Sequence, residues 1–119
     1  MSYVDGFLVP VPKNKLAAYR RMAKFAGKIW LEYGALQYVE ALADDVSWGK
    51  RTSFPRSVKL KRNEVVVFSY IVYRSRKQRD RIMKKIMKEP RFAKYMDPKN
   101  MPFDGKRMIW GGFKPFVEF

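Results

Sequence analysis

The residues able to do chemistry in this sequence are defined first by what is missing. There is no cysteine and no histidine. That excludes a thiol nucleophile, a disulfide framework and a zinc site of the usual Cys/His kind, and it removes the side chain best suited to proton transfer near neutral pH. Acid–base work would fall to Asp, Glu, Tyr or a perturbed Lys. Two carboxylates sit in strand-like stretches: Asp5 within an otherwise apolar run, and Glu40 within an alternating one. A carboxylate buried bare is costly, so Asp5 needs a partner. Arg107 or Lys106, entering the last strand, is the expected one, with Arg107 the main partner. The pair reads either as a structural ion pair or as a carboxylate held in a pocket, where burial raises its pKa and suits it to base chemistry. If Asp5 and Glu40 share a face they flank a cavity. An exposed edge strand is the plain alternative for Glu40.

A second cluster lies in the stretch Met101–Phe113, the most specific pattern in the chain. Asp104-Gly105 is a turn signal. Lys106 and Arg107 follow it and could bind an anion with help from free turn amides, or simply lie solvated. Gly111-Gly112 admits a close backbone or ligand, or a bulge at a dimer contact. Asp44-Asp45 resembles a cation-ligand pair, but no carboxylate follows at calcium-loop spacing, and Lys50 and Arg51 compete. No metal site is expected. No cofactor is expected either, because a phosphate loop, a nucleophile elbow and a dinucleotide fingerprint are all absent.

The formal net charge is +15, from 26 Lys and Arg against 11 Asp and Glu. A field of that sign attracts RNA or another polyanion. Its densest part is the run Arg74 to Lys88, where Arg76, Lys77, Arg81, Lys84 and Lys85 are the candidate phosphate contacts. No aromatic interleaves with them to stack bases, so a solvated helix face is the default reading.

These groups must be positioned by elements that periodicity makes legible. The 119 residues are expected to form one domain, and 47% hydrophobic content is enough for a core. Tyr3 to Val11 reads as strand one, with Tyr3, Phe7 and Val9 on one face and Val4, Leu8 and Val11 on the other. Gly6 suggests a bulge or close approach, and Pro10 and Pro12 end the strand. Helix one runs from Lys13 to Tyr33, with Asn14 as candidate cap and Gly34 as its left-handed terminator. Ala35 to Ala43 is strand two. Asp44 to Asn63 is irregular, with a short extended piece around Ser57 to Leu60. Glu64 to Tyr73 is apolar on both faces, so it should be central and covered twice. Ser75 and Gln78 form a capping-box pair that opens helix two, whose apolar stripe is Ile82, Met83, Ile86 and Met87. Pro90 ends that helix and can open a further turn through Met96. Arg107 to Phe113 is the last strand.

The order β–α–β–loop–β–α–β gives an α+β, ferredoxin-like fold with an antiparallel four-stranded sheet and both helices on one face. The other face also needs a cover, and a second copy of the sheet supplies one, giving a homodimer. No apolar run reaches the ~18 residues that span a bilayer, and the N-terminus has no signal-like run. A soluble, cytoplasmic protein with no membrane partner is expected.

The sequence resembles the YbaA-like family of small conserved bacterial proteins, within the dimeric α/β-barrel superfamily. The matching stretches are Tyr3-Val4-Asp5-Gly6-Phe7, Glu32-Tyr33-Gly34-Ala35-Leu36, Asp44-Asp45-Val46 with Gly49-Lys50, Val66 to Tyr70, Arg79-Asp80, Pro90-Arg91 and Met101 to Phe113. The residue after Glu40, often cysteine in that family, is Ala41 here, so any role of that thiol is absent. The resemblance implies a dimer of unassigned biochemistry. Three function classes follow. The favoured one is a homodimeric small-ligand-binding or interaction module. The second is a cofactor-independent monooxygenase-like enzyme, implied by the superfamily. The third is a nucleic-acid-binding dimer, suggested by charge.

Overall fold

The structure, a computed structural model, describes residues 2–119. Strand β1 (Tyr3–Pro12) is followed by a 3-10 turn (Lys13–Lys15) and helix α1 (Leu16–Glu32). Strand β2 (Gln37–Leu42), the short helix α2 (Phe54–Ser57), strand β3 (Glu64–Tyr73) and helix α3 (Arg76–Met87) come next. Two 3-10 turns (Pro90–Met96 and Pro98–Asn100) lead to strand β4 (Ile109–Phe113). The sheet order is β2-β3-β1-β4, antiparallel throughout, which is the ferredoxin-like arrangement. The sheet is open, with β2 and β4 as its edges, and closes no barrel within the chain. Among the described residues no helix is long and apolar enough to cross a membrane.

Strand parity decides which side chains meet the helices. On β1 the odd positions point inward, so Val11 is fully buried on the Tyr3 face and not on the opposite face expected for it. Gly6 makes no bulge: it pairs in continuous register with Tyr70 and Gly111. Pro10 does not end β1, which continues to Pro12 and stops there, as expected of the second proline. Pairing with β4 stops at Leu8, leaving that side of Pro10 and Pro12 without a strand to donate to, where proline is tolerated.

Helix α1 ends as its sequence suggests. Gly34 has φ +109, and the Gly34 and Ala35 amides donate to the Leu31 and Trp30 carbonyls, a Schellman closure. Its start differs from expectation, because Asn14 lies in the 3-10 turn and no side chain caps α1. Ser75 does cap α3, accepting from the Gln78 amide at 3.1 Å. Gln78 completes no reciprocal box. Its carbonyl accepts from the Arg74 amide and its NH2 donates to the Gly34 carbonyl, tying the start of α3 to the end of α1. The extended piece expected around Ser57 to Leu60 is instead the end of α2 and a left-handed Lys59 (φ +50), with Ser53 capping the helix. β4 begins only at Ile109, because Arg107 is held in a turn.

Both core clusters lie between the sheet and the helices, around Ile71, Tyr73, Ile29 and Ile82 at one end and Val9, Val11 and Val67 at the other. The opposite sheet face carries Leu8, Phe68, Tyr70, Ile109 and Phe113; of the helices only the short α2 reaches it, with Phe54 against Phe68 near buried Val66, and the rest is open. Phe68 is 43% exposed and Phe113 64%.

Candidate functional site

The register builds two rungs beneath the helices. Glu40 lies opposite Ser69, Ser69 opposite Phe7, and Phe7 opposite Trp110. One rung over, Tyr38 lies opposite Ile71, Ile71 opposite Asp5, and Asp5 opposite Gly112. Above these rungs is a cavity of about 320 Å³ with Asp5 and Glu40 in its wall. Trp30 from α1, Met83 from α3, and Phe103, Met108 and Trp110 from the C-terminal part supply apolar surface. The two carboxylates therefore flank one cavity, as their placement in alternating strands suggested.

Asp5 is 1% exposed, and its partner is not Arg107. Arg79 reaches down from α3, with Nη1 donating to Asp5 Oδ1 at 3.0 Å. The guanidinium also lies over the Tyr3 ring at 5.0 Å and contacts the Tyr3 hydroxyl. Its Nε is 2.9 Å from Asp80 Oδ1 but is not aimed at it, so that contact is coulombic and the Nε–H makes no hydrogen bond. Burial pushes the Asp5 carboxyl above its usual range, with Arg79 and the Tyr73 hydroxyl pulling it part of the way back.

Glu40 is half-buried. Tyr19 donates to Oε1 at 2.7 Å and Tyr38 to Oε2 at 2.9 Å. Among the described residues no cation pairs with it. Burial raises its pKa, opposed by the hydroxyls of Tyr19, Tyr38 and Ser69. Burial, reinforced by the Glu40 charge, pushes both phenols well above the usual tyrosine range, so they remain protonated donors. The sign of the linkage follows. Above the ordinary value of 4.5 and up to the raised folded value, the folded chain holds a proton that the unfolded chain has lost. Stability contributed by Glu40 therefore falls as pH rises through that window. In Glu40→Gln that titration is gone. Thermal melts at closely spaced pH should show the Tm difference moving in favour of the variant as pH climbs above 4.5, then levelling. A difference that stays flat would mean Glu40 ionises as freely as in water.

The Asp104–Arg107 turn is not part of this cavity. Asp104 accepts from the Lys106 amide and from Arg107 Nε, both at 3.0 Å. Arg107 forms a two-pronged pair with Glu64, at 2.5 and 2.8 Å, and donates to the Val58 and Lys59 carbonyls. It is a clamp between the entry to β4 and the segment before β3, and it holds the Glu64 carboxyl below its usual range. The Lys106 side chain is exposed. Gly112 forms no bulge: a Cβ there would stand 2.4 Å from the Tyr3 hydroxyl, so its smallness makes room for a ring of the same chain. Arg76, Lys77, Arg81, Lys84 and Lys85 are exposed on the outer face of α3 and line neither this cavity nor the groove beside it.

Three residues of the site escaped sequence reasoning, although each had a signal. Arg79 stands three residues before Ile82 and seven before Ile86, on the apolar stripe of α3 rather than its basic face. Tyr19 belongs to the apolar face of α1. Tyr38 shares parity with Glu40.

The sequence pattern of the family described as protein of unknown function (DUF1428) matches residues 2–105, ending before β4. The uncharacterized protein YbaA of Escherichia coli K12 is 49% identical over 118 residues, covering 99% of each chain, and the YbaA of Shigella flexneri matches equally. Among solved structures, a dimeric ferredoxin-like protein from an uncultured marine organism superposes with a TM-score of 0.64 at 10% identity, covering 99% of this chain and 98% of its own. Rv0793 from Mycobacterium tuberculosis gives 0.56 at 13% identity, with 99% and 98% covered. These two share the fold. The extent of the sequence matches goes further: the chain belongs to the DUF1428 family, whose function is unknown, alongside YbaA.

Proposed function

We propose that this chain acts in the cytoplasm as a homodimeric binding protein for a small, neutral, largely aromatic ligand held between the sheet and the helices. The observation that carries the reading is the 320 Å³ cavity, lined mainly by apolar and aromatic side chains, with Asp5, Glu40, Ser69 and the Tyr19 and Tyr38 hydroxyls as its few polar groups. An apolar cavity of about 150 Å³ accepts benzene, so this one has room for roughly two fused rings. Asp5 is already neutralised by Arg79, whereas Glu40 has no cation and retains acceptor capacity beyond its two tyrosines. An N–H or O–H on the ligand would fill it. The chain's strong positive field disfavours a cationic ligand. The dimer half of the proposal rests on the apolar sheet face, open except where α2 meets Phe68, and on the dimeric state named for the marine ferredoxin-like protein.

The test is calorimetric titration with 2-naphthol and naphthalene. Binding of 2-naphthol should be about tenfold tighter, as one hydrogen bond to a charged group would give. Ala26→Phe, which pushes a ring into the cavity from α1, should abolish both while the variant still melts cooperatively. If neither compound binds, and native mass spectrometry of protein from its own host shows no retained small molecule, the ligand reading is lost.

A further inference from the structure

Beside this cavity, along the neighbouring flank of α1, runs an open trough of about 630 Å³ between the helix and the edge strand β2. We propose that it binds a free, single-chain amphipathic carboxylate of the fatty-acid class.

The floor is apolar. Ala23 and Gly27 on α1 are small and buried, and Val67 lies beneath. A Cβ at Gly27 would be 3.0 Å from the Tyr38 ring, so glycine lets that ring lie flat against the helix. Leu31 at one end is 50% exposed and Leu42 on the far wall 52%, so apolar surface is left open to water. From Leu16 to Leu31 the helix wall is about 22 Å long at 1.5 Å per residue, the proportion of a long alkyl chain. One wall is cationic: Arg20, Lys24 and Lys28 recur every fourth residue, all exposed. None has an acidic partner among the described residues. Their aliphatic stems can lie along the trough while their charged ends meet an anionic head at its lip. A single trough one helix-face wide admits one chain, which favours a free acid over a two-chain lipid. Tyr19, Tyr38 and Glu40 form the wall shared with the inner cavity, but the anion's head is placed at the lip, away from Glu40.

The experiment compares laurate, dodecanol and dodecyltrimethylammonium by calorimetry below their micelle concentrations. Laurate should bind about tenfold or more tightly than dodecanol, with the ammonium weakest, because charge-assisted contacts act only on the carboxylate. In the triple variant Arg20→Gln, Lys24→Gln, Lys28→Gln, laurate should fall to the level of dodecanol, with dodecanol unchanged. Methyl NMR should show laurate shifting Leu31 and Leu42, and binding should survive Ala26→Phe, which fills only the inner cavity. Head-independent affinity, or a triple variant that binds laurate normally, overturns the proposal. So do shifts confined to Ile71 and Met83, which would put the chain in the inner cavity. Binding only to phosphatidylglycerol vesicles, with none of free laurate, overturns it in favour of a lipid surface.

Discussion

Replacing Arg79 by methionine is expected to cost the fold on the order of 3–5 kcal/mol at neutral pH, because a buried ion pair loses one partner and the other stays behind. Asp5 is 1% exposed and would keep only the nearby Tyr73 hydroxyl. Asp5→Asn should cost less, roughly 2 kcal/mol, since the lost charge leaves partners in place. Asp80 remains 2.9 Å from Arg79 Nε, and the Tyr3 ring still lies under the guanidinium. The double variant should lose clearly less than the sum, giving a coupling energy that chemical denaturation measures directly. The two single losses should also differ in pH dependence. Without Arg79 the Asp5 carboxyl rises still further above its ordinary 3.8. A raised acid destabilises the folded chain as pH climbs from the unfolded value through the folded one. The Arg79→Met loss should therefore shrink on acidification as Asp5 takes up a proton, whereas the Asp5→Asn loss should grow, because the native chain gains stability from that protonation and the asparagine variant does not. Strict additivity of two large losses would show that the pair is not coupled. Arg107→Met should show no coupling with Asp5→Asn, because Arg107 spends its donors on Glu64, Asp104 and two carbonyls.

The second large effect is on association. Phe68→Asp places a charge in the middle of the largely open sheet face, beside Tyr70 and Phe54 of α2. In a two-fold dimer each such residue enters the contact twice. A buried aromatic anchor is worth roughly 2 kcal/mol or more, so two of them should weaken the dimer by well over a hundredfold. Sedimentation at micromolar concentration should show dimer for the native chain and monomer for the variant. The monomer should stay folded, because Phe68 is already 43% exposed within a single chain. A native chain that sediments as a monomer, or a variant that remains a dimer, would move the contact to another surface. The chain contains no cysteine, so single cysteines at Ile109 or Phe113 can be oxidised on a clean background to map which face is buried.

What the sequence determined by itself was local. The apolar run, broken only by Ser69, made β3 legible to its ends, Glu64 and Tyr73. Ser75 announced the start of α3 and Gly34 the end of α1, because capping and left-handed termination depend on residues a few positions apart. The element order then selected the fold, since few topologies satisfy right-handed crossovers around four strands. Alternation also placed Asp5 and Glu40 in strands, and so on a shared face once strand order was known.

The tertiary structure decided partners. Arg79 and Arg107 both stand in basic surroundings in the sequence, and only the spacing of Arg79 from Ile82 and Ile86 hints at which turns inward. Arg79 does, because α3 lies over β1 and carries that position on its buried stripe. Arg107 is caught by Glu64 in a turn before β4 begins. The phenols that hold Glu40 come from α1 and from its own strand, which meet only where the helix packs against the sheet edge. Strand register and helix placement set these contacts between residues far apart in the chain, and one-dimensional periodicity carries no record of either.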